Sequence, residues 1–161
     1  MKQSTVLYAG SFDPLTNGHY DLIQRASRTF GKVVVGVVGN PQKSPYFTPE
    51  ERVRMITEQV ADLANVQVMH FTGLLADFVN EMGFDVVLRG LRGNTDFDSE
   101  IQMAQMNARL YQGDVETVFL MTDPRYSFIS SSMVKEVHSL GGNIEGLVPP
   151  VIYEAMMEKR K

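Results

Sequence analysis

The run Val33-Val34-Val35-Gly36-Val37-Val38 constrains the fold more than any other stretch of this chain. A strand with one wet face alternates apolar and polar residues, whereas this run offers no polar face and must be covered on both sides. It therefore predicts a strand inside a sheet with helices packed above and below. Further apolar stretches at about 5–9, 66–71, 86–88 and 115–121 predict four more strands. Amphipathic stretches separate them. Ile23, Ala26 and Phe30 share one helical face, with Gly31 as a stop. Thr48-Pro49-Glu50-Glu51 is a capping box with proline at the first helical position, and the apolar face that follows is read as Val53, Ile56, Val60 and Leu63. A short helix over 74–82 stops at Gly83, a serine caps a helix running to about 140 before Gly141-Gly142, and Pro149-Pro150 opens a last helix. Alternating strands and helices make βα units. The expected fold is α/β, a doubly wound (Rossmann-like) five-stranded parallel sheet with helices on both faces, in a single domain over 1–161.

One helix breaks the pattern. Over about 97–111, Ile101, Ala104, Ala108 and Tyr111 form one apolar stripe while Met103, Met106 and Leu110 form another. A helix that is apolar on two faces needs two things to pack against. One is its own sheet. The other is a neighbouring subunit or, alternatively, a deep burial inside its own domain.

Composition closes several doors. The formal charge of −4 argues against a general nucleic-acid or anionic-membrane binder, and the absence of cysteine excludes disulfides, thiolate zinc sites and cysteine nucleophiles. Met1-Lys2-Gln3-Ser4 lacks the apolar run of a secretory signal, and the run over 33–38 is too short to span a bilayer. A cytoplasmic protein with no nucleic-acid or membrane partner is expected.

In a doubly wound sheet, ligands sit at the carboxyl ends of the strands. Those ends carry the segment from Gly10 to His19, then Lys43, then Arg89 and Arg92, then Ser127 to Ser132. Backbone N–H groups at a helix start are unpaired and sit at the positive end of the helix dipole, which suits an anion. Each residue has a plainer reading by itself: a loop lysine is a solvated charge, a serine run is an N-cap, and His19 is either a phosphate donor or a cap-region histidine. The shared edge makes the set a candidate polyphosphate site. Asp96, Asp98 and Glu100 imitate metal-ligand spacing, but acids in a first helical turn are ordinary. His70 and His138 carry no context. The segment 36–44 superficially suggests a Walker A loop, yet Gln42 stands where that loop needs glycine before its lysine. Gly90-Leu91-Arg92-Gly93 matches a KH-type GxxG but follows a strand in an acidic chain. Neither G-x-G-x-x-G after the first strand nor G-x-S-x-G occurs.

Gly10-Ser11-Phe12-Asp13-Pro14 followed by Thr16-Asn17-Gly18-His19 resembles the signature of nucleotidyltransferases related to class I aminoacyl-tRNA synthetases, in which the T/H-x-G-H histidine binds nucleotide phosphates. Ser127-Phe128-Ile129-Ser130-Ser131-Ser132 resembles the second signature of that superfamily. With Arg89 to Arg92, the segment 48–52 and Phe119-Leu120-Met121, the whole chain resembles the bacterial phosphopantetheine adenylyltransferases. The resemblance implies transfer of AMP from ATP to 4′-phosphopantetheine, giving dephospho-coenzyme A and pyrophosphate, with Mg²⁺ on the ATP phosphates rather than on protein side chains. It implies a homohexamer, in agreement with the two-faced helix.

By the same resemblance ATP meets Ser11, Phe12, His19, Gly90, Leu91, Arg92, Glu100, Tyr126, Ser127, Phe128, Ile129, Ser130, Ser131 and Ser132, and phosphopantetheine meets Ser11, Lys43, Leu75 and Arg89. His19, Lys43 and Arg92 would do the chemistry. Ser11 stands where threonine is usual, Tyr126 where tryptophan is common and Leu75 where methionine occurs, and serine keeps the hydroxyl. The acceptor phosphate is already ionised at pH 7, which is consistent with the lack of an evident acid–base pair. A sister transferase for another phosphorylated acceptor, such as nicotinamide mononucleotide, or for a cytidyl group is one alternative. A non-catalytic nucleotide sensor on the same fold is the other.

Overall fold

The structure is a computed structural model that describes residues 3–42 and 44–160. In chain order its elements are β1 (Thr5–Gly10), α1 (Asn17–Thr29), β2 (Lys32–Gly39), α2 (Pro49–Gln59), β3 (Val66–Thr72), α3 (Leu75–Met82), β4 (Val86–Leu91), α4 (Asn94–Leu110), β5 (Glu116–Met121), a 3₁₀ turn (Pro124–Tyr126), α5 (Ser131–Ser139) and α6 (Pro150–Lys159). The five strands form one sheet in the order β3-β2-β1-β4-β5, and every pairing is parallel. This is the expected α/β fold.

The valine run behaves as its composition demands. Val33, Val35 and Val37 pack on one face with Leu22, Ile23 and Ala26 of α1, Ile56 of α2 and Ile152 and Met156 of α6. Val34 points to the other face, into a smaller cluster with Leu7, Phe71, Phe78, Val79 and Val87. There the Phe71 and Phe78 rings stack 4.2 Å apart. The layers are therefore unequal: α1, α2, α5 and α6 contribute to the larger core, and α3 covers most of the other face.

Register positions the site. β1 pairs with β2 from Thr5↔Lys32 to Gly10↔Val37, but with β4 only from Val6↔Val86 to Tyr8↔Leu88. Meanwhile β4 stays paired with β5 as far as Leu91↔Met121. Past Tyr8 and Leu88 the two central strands part, and the sheet opens at the point where chain order reverses. That is where a doubly wound sheet binds ligands.

Several local expectations need correction. α2 ends at Gln59 with Val60 as its C-cap, so Leu63 lies beyond the helix, and the buried face is Arg52, Met55 and Ile56, with Val53 only half-buried. The first helix buries Leu22, Ile23 and Ala26, and Phe30 is its extended C-cap rather than part of its face. Gly31 makes no left-handed stop; a Cβ there would come within 2.9 Å of Gln3, so the position needs closeness rather than a turn. β4 continues through Arg89, Gly90 and Leu91, three residues past the expected run over 86–88. For α4, deep burial within its own domain is excluded. Ile101, Ala104 and Tyr111 are half-buried, Ala108 is exposed, and Met103 and Met106 are 57% and 58% exposed. The helix lies over the thin side of the sheet, with one apolar stripe turned outward.

Candidate active site

The segment after β1 is built by hydrogen bonds that constrain its histidine. Thr16 is the N-cap of α1, and its side chain accepts the His19 N–H at 3.3 Å. In return Nδ1 of His19 accepts the Thr16 N–H at 3.0 Å, with Thr16 Oγ1 3.2 Å away. This is a capping box with histidine in the place usually held by Glu or Gln. An Nδ1 that accepts cannot carry the ring proton, so the proton is on Nε2 and the ring is neutral. Burial and the nearby Arg92 guanidinium both oppose a second proton and lower the His19 pKa to about 4.

The helix terminus offers fewer free donors than its position suggests. Asn17 N–H is taken by Leu147 O at 3.0 Å and His19 N–H by Thr16, which leaves Gly18 N–H without a partner among the described residues. A second helix start compensates. Ser130 caps α5 by accepting the Met133 N–H at 3.1 Å, and Ser131 Oγ donates to Pro14 O at 2.7 Å, tying α5 to the β1–α1 segment. The backbone N–H groups of Ser131 and Ser132 have no partner among the described residues.

Between these helix starts lies a cavity of about 360 Å³. Of the residues expected at an ATP site, Ser11, Phe12, His19, Gly90, Arg92, Glu100, Tyr126, Ile129, Ser130, Ser131 and Ser132 line it, while Leu91, Ser127 and Phe128 do not. Phe128 is 60% exposed, and Ser127 Oγ is turned to Pro124 O at 3.1 Å. Arg92 Nε donates to Asp96 Oδ2 at 3.2 Å, and its Nη1 donates to Ile129 O at 3.4 Å.

A second cavity of about 280 Å³ abuts the first. Ala9, Gly10, Arg89 and Glu100 line both and form the wall between them. In that wall Arg89 makes a bidentate pair with Glu100, at 2.8 and 2.9 Å, and also donates to Ala9 O at 3.1 Å. The pairing raises the Arg89 pKa, chiefly through the Glu100 hydrogen bonds. Leu75 lines the second cavity with Leu74, Val38, Val87, Met103 and Ala104, so Leu75 and Arg89 do come together as an apolar groove ending in a cation. Ser11 lines only the first cavity. Lys43 lies outside the described residues.

Sequence reasoning missed several lining residues. Thr16 was recoverable, since a threonine three residues before a histidine at a helix start is a capping pattern. Tyr8, Leu22 and Thr122 in the first cavity, and Asn107, Tyr111 and Thr117 in the second, depend on which strands are neighbours and carry no local signal. Burial raises the Tyr8 pKa, so this hydroxyl stays protonated at the cavity wall.

A parallel sheet that opens at its switch point, two helix starts facing one polar cavity and a neutral histidine donor make an arrangement for holding phosphoryl groups. The cytidylyltransferase-like family model matches residues 7–137, so fold and site define a nucleotidyltransferase of that class. The chain is 51% identical over 156 residues to a phosphopantetheine adenylyltransferase of Natranaerobius thermophilus, covering 97% of this chain and 96% of that protein. It is 50% identical to the one of Heliobacterium modesticaldum, covering 97% and 92%, and 48% identical to the one of Geotalea daltonii, covering 99% and 98%. The chain belongs to the phosphopantetheine adenylyltransferase family.

Proposed function

We propose that this protein transfers the adenylyl group of ATP to 4′-phosphopantetheine, giving dephospho-coenzyme A and pyrophosphate. The observation that carries the reading is the wall shared by the two cavities. A polar cavity with two helix starts suits a triphosphate, an apolar groove suits a pantetheine arm, and they meet at Gly10, Arg89 and Glu100. The printed names of the relatives support the same pair of substrates.

In this reading a phosphate oxygen of the acceptor attacks the α-phosphorus of ATP in line, and the bond from that phosphorus to the bridging oxygen of the β-phosphate breaks. The attacking phosphate is ionised at neutral pH, so no general base is needed. Catalysis then rests on alignment and on donors aimed at the charge that develops. Nε2–H of His19 donates to an α-phosphoryl oxygen. Gly18 N–H and the Ser131 and Ser132 N–H groups hold the leaving phosphates with Arg92, and Gly90, Tyr126 and Ile129 hold the nucleoside. Lys43 and Arg89 hold the acceptor phosphate, and Leu75 packs on the arm.

Mg²⁺ would be held on the ATP phosphates, where it would screen their charge. Asp96 and Glu100, the carboxylates lining the first cavity, are engaged by Arg92 and Arg89, which favours this route over direct ligation. The outward stripe of α4 supports assembly with further copies, in a homohexamer. No helix among the described residues is long and apolar enough to cross a membrane, and dependence on ATP suits the cytoplasm.

The test is pyrophosphate release from purified protein given ATP or CTP with 4′-phosphopantetheine or nicotinamide mononucleotide. Release only with ATP and phosphopantetheine is expected. Preference for another pair, or none with any, overturns the reading.

A further inference from the structure

Arg52 is the least expected residue of the core. It lies on α2, is 3% exposed, and makes no ion pair among the described residues. Its guanidinium instead donates to carbonyls from three separate stretches of chain: Nε to Phe47 O at 3.1 Å, and Nη1 to Ser11 O at 2.6 Å and Val38 O at 3.0 Å. Ser11 lines the first cavity and Val38 the second, so a single nitrogen is bonded to the wall of each.

Asp13 works on the same junction from the other side. It is 7% exposed and accepts the Tyr46 N–H at 2.7 Å and the Phe47 N–H at 2.8 Å. Lys135 Nζ stands 3.9 Å away. Between Ser11 and Asp13, both held in this way, Phe12 has φ +48°, a conformation that non-glycine residues keep only where the surroundings over-determine it. Burying two charged groups is costly, and an apolar side chain would fill the same space at less cost. What a guanidinium adds is direction. It fixes three backbone segments relative to one another regardless of their side chains.

We infer that Arg52 and Asp13 are a positioning pair that holds the two cavities in register, joining Val38 and Tyr46-Phe47 to Ser11 and so setting the approach of one substrate to the other. Neither residue lines either cavity. The inference rests on the proposed two-substrate reaction. It adds the claim that alignment, rather than affinity for either substrate, depends on this pair, and a displacement of about 1 Å is enough to cost on the order of 10²-fold in rate.

The test compares wild type, Arg52→Met, Arg52→Lys and Asp13→Asn at temperatures where each is folded. For Arg52→Met, kcat is expected to fall by on the order of 10²-fold while the calorimetric Kd for ATP stays within about threefold. Lysine still reaches one or two of the carbonyls, so Arg52→Lys should recover about tenfold of that loss. Unchanged kcat in Arg52→Met overturns the inference. So does a loss that lysine does not rescue and that follows the folded fraction in a thermal melt. If Arg52→Met does not fold, Arg52→Lys and Asp13→Asn decide, and wild-type kcat in both overturns the pair. Wild type that releases no pyrophosphate sinks the reaction itself, a separate failure.

Discussion

The two cavities differ in what builds them. The first is made largely of backbone and short polar side chains already bonded to one another: the Thr16–His19 box, Ser130 on Met133 N–H, and Ser131 on Pro14. The second is walled by long apolar side chains of α3 and α4, and α4 keeps Met103 and Met106 largely exposed. One is preorganised within a single chain, as charge stabilisation in a transition state requires. The other is apolar and bordered by a helix that still has a free side. Rate is therefore expected to be sensitive in the first cavity, and acceptor affinity and assembly in the second.

The sharpest way to break this contrast is His19→Ala. Removing one donor from the developing charge is expected to lower kcat by on the order of 10²–10³ with a milder effect on ATP affinity. Steady-state kinetics with an unchanged kcat would end the assignment. Lys43→Ala should lose both acceptor binding and rate while ATP binding survives; if only ATP binding suffers, the lysine belongs to the other substrate.

Assembly comes next. Met103→Glu with Met106→Glu puts two charges on the outward stripe of α4, and light scattering should show dissociation to smaller species while the thermal melt stays cooperative. A wild type that scatters as a monomer, or a variant with unchanged mass, would overturn the proposed assembly through α4. A smaller effect is expected at Thr16→Ala, which removes an N-cap worth about 1 kcal/mol and the Oγ1 contact to the His19 ring, leaving the ring held only by the backbone N–H at position 16. Denaturant midpoints measure the first consequence, and a lower kcat partly restored by Thr16→Ser measures the second.

The pH dependence of His19 tests the tautomer. Its folded pKa lies below the unfolded value, so the unfolded chain binds the extra proton first as pH falls. The stability it contributes is complete above about 6.5 and is lost as pH falls toward about 4. Nitrogen NMR should find Nε2 protonated and Nδ1 bare at neutral pH, with a midpoint well below an ordinary histidine. A midpoint near 6.5 would refute the capped ring.

Residues whose role is local were legible in the chain itself. The valine run demanded cover on both faces, Thr48 and the serines of 127–132 announced helix starts, and glycines and cations at strand ends marked one edge as the candidate site. Face assignments failed where a partner outside the helix decides. Arg52 lies on the buried face of α2 because three carbonyls from elsewhere in the chain accept from it, and no periodicity reports that. Leu63 had the right spacing for α2 but lies past its end.

Sequence alone thus determined the parallel sheet and the order of its helices, because those follow from burial, capping and chain order, and it nominated the strand-end edge where His19 stands as the candidate site. Tertiary structure decided the rest. The parting of β1 from β4 after Tyr8 and Leu88 created the opening, and the Arg89–Glu100 pair divided it in two. The capping box chose which ring nitrogen carries the proton, and Asp13 and Arg52 tied together segments more than thirty residues apart. Each of these depends on distances between groups remote in sequence, and such distances exist only once the core has packed.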